Sequence, residues 1–275
     1  MASCTYTVYL SRHGQSQANV EGIIGGDTGL SEAGTEYSER LCAFIASSVP
    51  DGCPIWTSTL QRTIQTVRPL RLHQRQQSSK GYSVAGATTN DESHYPSPRT
   101  CDLYPQSLHS GLDEIFAGVC DGMTMAEAEA AQPAALAARG RDKLRFRYPD
   151  GESYGDLSER VYQECIQLEA DCHHRAILSR TLQSHSDLSD LTCPAGADSL
   201  FSGPCAATAA QVTTTTACVV AHQATLRCVL AYFMGTATSS IPHVSVPLHT
   251  VFTIVVTFCP VSRKTLGVKL DSTAL

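Results

Sequence analysis

Three short runs rich in β-branched or aromatic residues, Tyr6 to Leu10, Ile55 to Ser58 and Ala217 to Ala221, end on polar residues and give way to helical spacing. Ser31 can cap a helix that carries Tyr37, Leu41, Phe44 and Ile45 before Pro50; Leu60 to Leu70 holds Arg62 in its first turn; Leu226 to Met234 follows His222. Strands that alternate with helices pair in parallel, so an α/β fold is expected. Met123 to Arg139 is Ala-rich and helical by propensity, with an interruption at Pro133, and Ser153 to Leu168 supplies a further helix. Val251 to Phe258 and Leu266 to Leu270 read as the last strands. The most apolar stretch, Val251 to Cys259, is about half the ~20 residues a membrane helix needs and reads as a buried strand.

Parallel strands bring their carboxyl ends together, which would gather Arg12-His13, Arg62 and His222 in one pocket. Guanidinium forks match phosphate oxygens, and a neutral imidazole nitrogen is a nucleophile near neutral pH. Two of each suit phosphoryl transfer. The chain of 275 residues carries a formal charge of −6, so binding to nucleic acid or a membrane through general basicity is not expected, and any anion must be caught locally. Twelve cysteines without a C-x-x-C pair fit reduced thiols, and residues 1 to 10 lack the pattern of an export signal, so a cytoplasmic protein is expected. Residues 71 to 110 and 171 to 216, rich in polar and small residues, read as two low-complexity insertions in a single domain spanning 1–275.

The strings around these polar residues are more specific. Leu10-Ser11-Arg12-His13-Gly14-Gln15-Ser16-Gln17-Ala18-Asn19, then Gly25-Gly26-Asp27-Thr28-Gly29-Leu30-Ser31, resembles the histidine phosphatase superfamily and, within it, the fructose-2,6-bisphosphatase branch. Trp56-Thr57-Ser58 with Arg62-Thr63, Leu112-Asp113-Glu114-Ile115, Arg147-Tyr148-Pro149-Asp150-Gly151-Glu152-Ser153-Tyr154, Ala221-His222-Gln223-Ala224 and Pro247-Leu248-His249 are similar to that branch in the same order.

The resemblance implies a three-layer, phosphoglycerate mutase-like sandwich around a mostly parallel sheet. It implies that His13 is transiently phosphorylated, that Arg12, Arg62 and His222 surround the transferred group, and that Glu114 protonates the departing sugar oxygen. Asn19 and Gly25 match contacts to the reacting phosphate; Arg139, Lys143, Tyr154, Gln223 and Arg227 match contacts to the rest of a sugar bisphosphate. The implied reaction releases the 2-phosphate of fructose 2,6-bisphosphate and requires no metal or other cofactor; protein partners stay open. No Gly-x-x-x-x-Gly-Lys-Ser/Thr loop is present, so synthesis of the bisphosphate is not expected.

Three residues depart from the branch pattern: Met125 stands for a phosphate-binding tyrosine, Phe116 for an acidic residue and Gln15 for a glutamate. These departures keep open a broader sugar-phosphate phosphatase and a non-catalytic sugar-phosphate-binding regulator. Arg139, Arg141, Lys143, Arg145 and Arg147 alternate, so an extended segment would direct five cations to one side, with Arg141 and Arg145 read as solvated. Asp171-Cys172-His173-His174 holds metal-ligand types but reads as solvated polar residues at an insertion's edge.

Overall fold

A computed structural model describes residues 3–80, 104–186 and 215–275. In chain order the elements are β1 (Cys4–Arg12), α1 (Gln17–Glu21), α2 (Glu32–Ser48), β2 (Ile55–Thr57), α3 (Gln61–Lys80), β3 (Gln106–Leu108), α4 (Met125–Ala131), α5 (Pro133–Arg141), α6 (Tyr154–Ser186), β4 (Thr215–Ala221), α7 (Gln223–Met234), β5 (Thr250–Phe258) and β6 (Thr265–Ala274).

The six strands form one sheet in the order β3-β2-β4-β1-β5-β6. β1, β2, β3 and β4 pair in parallel, β5 runs antiparallel to β1, and β6 antiparallel to β5. Every residue of β4 is buried, as a central strand covered on both faces requires. Its alternate side chains enter two cores. Ala217, Val219 and Ala221 pack with Tyr6, Val8 and Leu10 against Leu157 and Val161 of α6 and Leu226 and Val229 of α7. Cys218 and Val220 face Leu41 and Ile45 of α2 and Val67 and Leu70 of α3. Helices therefore cover both faces, and the three-layer α/β expectation holds. Among the described residues no helix is long and apolar enough to cross a membrane.

The insertion boundaries differ from the sequence reading. α3 continues to Lys80 and β3 at 106–108 lies inside the first expected insertion, while α6 continues to Ser186 and β4 begins at Thr215 inside the second. Thr215 and Thr216 are buried: β-branched threonines suit a strand despite their polarity. The remainder of both segments, 81–103 and 187–214, lies outside the described residues. Asp171 to His174 fall within α6, where the His173 ring stacks on Phe258 at 4.0 Å.

The alternating cations do not form an extended row. Pro133 opens α5, and helical backbone runs through Arg141 before the chain turns at Asp142. Arg145 instead pairs with Asp142, and Arg147 with Asp156, at the surface.

Candidate active site

The strand register assembles the site. Arg12 pairs with Ala221 and Thr57 with Val220, so the residues just past β1, β4 and β2 emerge side by side. The backbone N–H of His13 donates to the carbonyl of Ala221 at 2.9 Å, and the His13 and His222 rings lie 5.0 Å apart, centroid to centroid.

Both imidazoles are buried, at 2% and 0% exposure, and both are held neutral. Burial pushes His13 well below the ordinary histidine value, and the charges of Arg62 and Arg12 push the same way. Burial likewise dominates at His222, reinforced by His13, Arg62 and Arg12. The neighbours fix each tautomer. His13 Nδ1 lies 2.7 Å from the Gly14 carbonyl, which only accepts, so Nδ1 carries the proton and Nε2 keeps its lone pair. At His222 the Nε–H of Arg62 donates to Nδ1 at 3.1 Å, so Nε2 is the protonated nitrogen and donates to Ser58 Oγ at 2.7 Å.

Arg62 also donates to the Gly26 carbonyl at 2.6 Å. Gly25 and Gly26 both adopt left-handed backbone, and a Cβ on Gly25 would sit 1.8 Å from Asp121 Oδ1, so this turn closes only with glycine there. Arg12 Nε is buried without a hydrogen-bond partner, a costly state that an anionic oxygen would relieve. Glu114 is charge-coupled to both Arg12 and Arg62. Its carboxylate accepts from the backbone N–H of Ala224, in the first turn of α7, at 3.1 Å.

Glu114 stands between two openings. One is a cleft of about 170 Å³ lined by Gly25, Glu114, Met125, Arg139, Lys143, Tyr148, Tyr154, Gln223 and Arg227 among others. Six residues expected at the non-reacting end or beside the reacting phosphate, Gly25, Arg139, Lys143, Tyr154, Gln223 and Arg227, thus share one cavity with Glu114. Arg227 donates to Tyr154 Oη at 2.9 Å and to the Val244 carbonyl at 2.8 Å; Lys143 donates to the Pro242 carbonyl at 3.3 Å. Burial, with Arg227 and Arg139 close by, pushes the Lys143 ammonium down to about 8. Among the described residues no carboxylate lies within ion-pairing distance of Arg12, Arg62, Arg139, Lys143 or Arg227. The other opening is lined by Asp27, Arg62, Asp113, Glu114, Asp121 and Arg160, among others, and is predominantly acidic.

Asn19, expected beside the reacting phosphate, also serves the fold. Its side-chain oxygen accepts the backbone N–H of Ser16, the N-cap of α1, and it does not line the cleft. Sequence reasoning passed over Ser58, which receives the His222 proton, Tyr148, whose ring lies 5.8 Å from the Arg139 guanidinium, and Thr66, whose Oγ1 accepts from the N–H of Gly14 at 3.0 Å. Their signal was present in the matching strings Trp56-Thr57-Ser58 and Arg147-Tyr148, but only tertiary structure gives these side chains partners. Phe116 is exposed, and Gln15 Oε1 accepts from Ser31 Oγ at 2.8 Å, tying the turn after β1 to the cap of α2.

Comparison with known proteins agrees with this geometry. The chain is 32% identical over 244 residues, 89% of its length, to a 6-phosphofructo-2-kinase/fructose-2,6-bisphosphatase from Gallus gallus. It is 31% identical over 245 residues, again 89%, to the Homo sapiens 6-phosphofructo-2-kinase/fructose-2,6-bisphosphatase 1. The match spans 36% of each relative, so the chain corresponds to about a third of their length. Among solved structures, a mycobacterial glucosyl-3-phosphoglycerate phosphatase superposes with a TM-score of 0.57 at 18% identity, covering 98% of this chain and 99% of the other. The alpha-ribazole phosphatase of Shigella flexneri gives 0.56 at 18% identity, covering 90% and 89%. The family model for branch 1 of the histidine phosphatase superfamily matches residues 8–80 and 99–187, and with the paired histidines at the ends of β1 and β4 the chain belongs to that superfamily.

Proposed function

We propose that this chain is a phosphatase that removes the 2-phosphate of fructose 2,6-bisphosphate through a phosphohistidine at His13. Nε2 of His13, free of a proton, attacks phosphorus; the bond from phosphorus to the sugar oxygen breaks, and Glu114 gives that oxygen its proton. Water then attacks the phosphohistidine, Glu114 takes a proton back, and inorganic phosphate leaves with His13 restored. Arg12 and Arg62 are the fixed cations beside the non-bridging oxygens and offset charge that shifts in the transition state, while neutral His222 orients the Arg62 guanidinium through Nδ1. No step in this sequence calls on a metal or cofactor.

The observation that carries the reading is the cluster of cations without carboxylate partners: Arg139, Lys143 and Arg227 in a cleft that also contains Glu114. Burial beside two guanidinium groups lowers the Lys143 ammonium, and a second phosphate on the substrate would relieve the crowding of like charge. The relatives from Gallus gallus and Homo sapiens, both 6-phosphofructo-2-kinase/fructose-2,6-bisphosphatases, support the same substrate. Met125 favours a second reading, a sugar-phosphate phosphatase of broader range, because its half-exposed thioether lines the cleft and donates no hydrogen bond.

Phosphate release from fructose 2,6-bisphosphate, 3-phosphoglycerate and simple phosphomonoesters separates these readings: a kcat/KM for the bisphosphate well above the others is expected, and a flat panel favours the broader enzyme. His13→Ala is expected to abolish turnover together with acid-labile, base-stable labelling by substrate phosphate. Wild-type activity in that variant, or ligand binding with neither label nor turnover in the parent chain, would count against the enzyme.

A further inference from the structure

Glu114 sits on an irregular strap that begins in the short turn Ser110–Leu112 and belongs to no strand or long helix; α7 reaches it through Thr225 Oγ1, which donates to the Asp113 carbonyl at 2.8 Å, and through the Ala224 N–H. Arg160, in α6, grips that strap with every donor it has. Nη1 donates to the carbonyls of Gly111 and Asp113, each at 2.9 Å, and Nη2 donates to the carbonyl of Glu114 itself at 3.1 Å. The remaining two N–H groups, on Nε and Nη2, go to the two carboxylate oxygens of Glu152, each at 2.8 Å. Glu152 in turn accepts from the backbone N–H of Phe116 at 2.9 Å, closing the far side of the same strap. Five donors, five acceptors and a planar fork define one backbone position for the residue between them.

We propose that Arg160 is the positioning residue for Glu114: held by Glu152, it sets the carboxyl's place beside the reacting phosphate without touching substrate. The proposal rests on Glu114 as the proton donor. Lysine, a point charge with no planar fork, cannot hold three carbonyls and a bidentate carboxylate together.

The test compares Arg160→Gln, Arg160→Lys, Glu152→Gln and Glu114→Gln on fructose 2,6-bisphosphate and on p-nitrophenyl phosphate, whose phenolate leaves without needing a proton, and reads the single-turnover rate of leaving-group release, which precedes the hydrolysis of phosphohistidine that both substrates share. Displacement of the acid by about 1 Å costs on the order of 10–100-fold. Arg160→Gln is therefore expected to lose about that much in the single-turnover release of fructose 6-phosphate, with the half-saturating substrate concentration within about twofold and single-turnover release of p-nitrophenolate within about threefold. Arg160→Lys and Glu152→Gln should show the same selectivity in smaller measure, which keeps the test decisive if Arg160→Gln fails to fold. Equal losses on both substrates, or none on either, overturn the positioning role when Glu114→Gln itself discriminates between them. If Glu114→Gln does not discriminate, the acid assignment fails and the positioning role goes with it.

Discussion

His13 and His222 keep their neutral form chiefly because both rings are buried, with the charges of Arg62 and Arg12 pushing the same way, while the Gly14 carbonyl and the Arg62 N–H at their Nδ1 atoms fix the tautomers. That arrangement serves an anion and costs stability in acid. In the unfolded chain both rings take up a proton near pH 6.5, whereas the folded state resists it, so below that value the unfolded state binds more protons. Burial lowers His173 and His249 in the same direction. The expected result is a urea midpoint that is flat above about pH 7.5 and falls as pH drops through about 6.5, with a shallower fall in His13→Gln; a profile that rises toward pH 5 would contradict it. At this scale the sequence was most informative where a polar residue follows a strand, since the sheet itself brings such positions together. Arg160 escaped notice because its role lies in five hydrogen bonds to backbone and to Glu152, which no local pattern announces.

The turn that carries His13 is held in place by the contact between two glycines. A Cβ on Gly34 of α2 would lie 2.0 Å from the Gln15 carbonyl oxygen, and one on Gly14 would lie 2.5 Å from the Gly34 oxygen. The helix therefore meets the turn carrying His13 backbone to backbone. Thr66 and Ser38 extend the seam: Gly14 N–H donates to Thr66 Oγ1 at 3.0 Å, and Ser38 Oγ to the Thr66 carbonyl at 2.9 Å. Gly34→Ala is expected to cost about 1–3 kcal/mol, read as a lower denaturant midpoint at unchanged slope, and to reduce turnover by shifting His13. Element types were largely legible, because the strands and the α2 and α7 stripes have clear periods and Ser31 caps as expected, accepting from the Gly34 N–H at 3.2 Å. Lengths were less so. α6 runs to Ser186 through polar residues, and β3 is three residues long, recognisable only from its pairing with β2.

Across the whole molecule, direction along the sheet sorts the chain by task. β1, β2 and β4 deliver their last residues to the site, while α3 and α6, which begin at Gln61 and Tyr154 beside it, carry the chain away. A helix of 20 residues covers about 30 Å, so Lys80 ends far from Arg62, and β3 and β4 then start their run back. Residues 81–103 and 187–214 are thus joined to the fold at the end opposite the candidate active site. Replacing residues 84–100 and 190–211 by short Gly-Ser links is expected to leave kcat and KM within about twofold, checked by steady-state assay; a large loss would mean that those segments reach the cleft.

That polarity has a practical side. Because α3 and α6 hand the chain over at the remote pole, a fluorophore, an affinity handle or a whole guest domain could be grafted between Lys80 and Gln106, or between Ser186 and Thr215, without obstructing the candidate site.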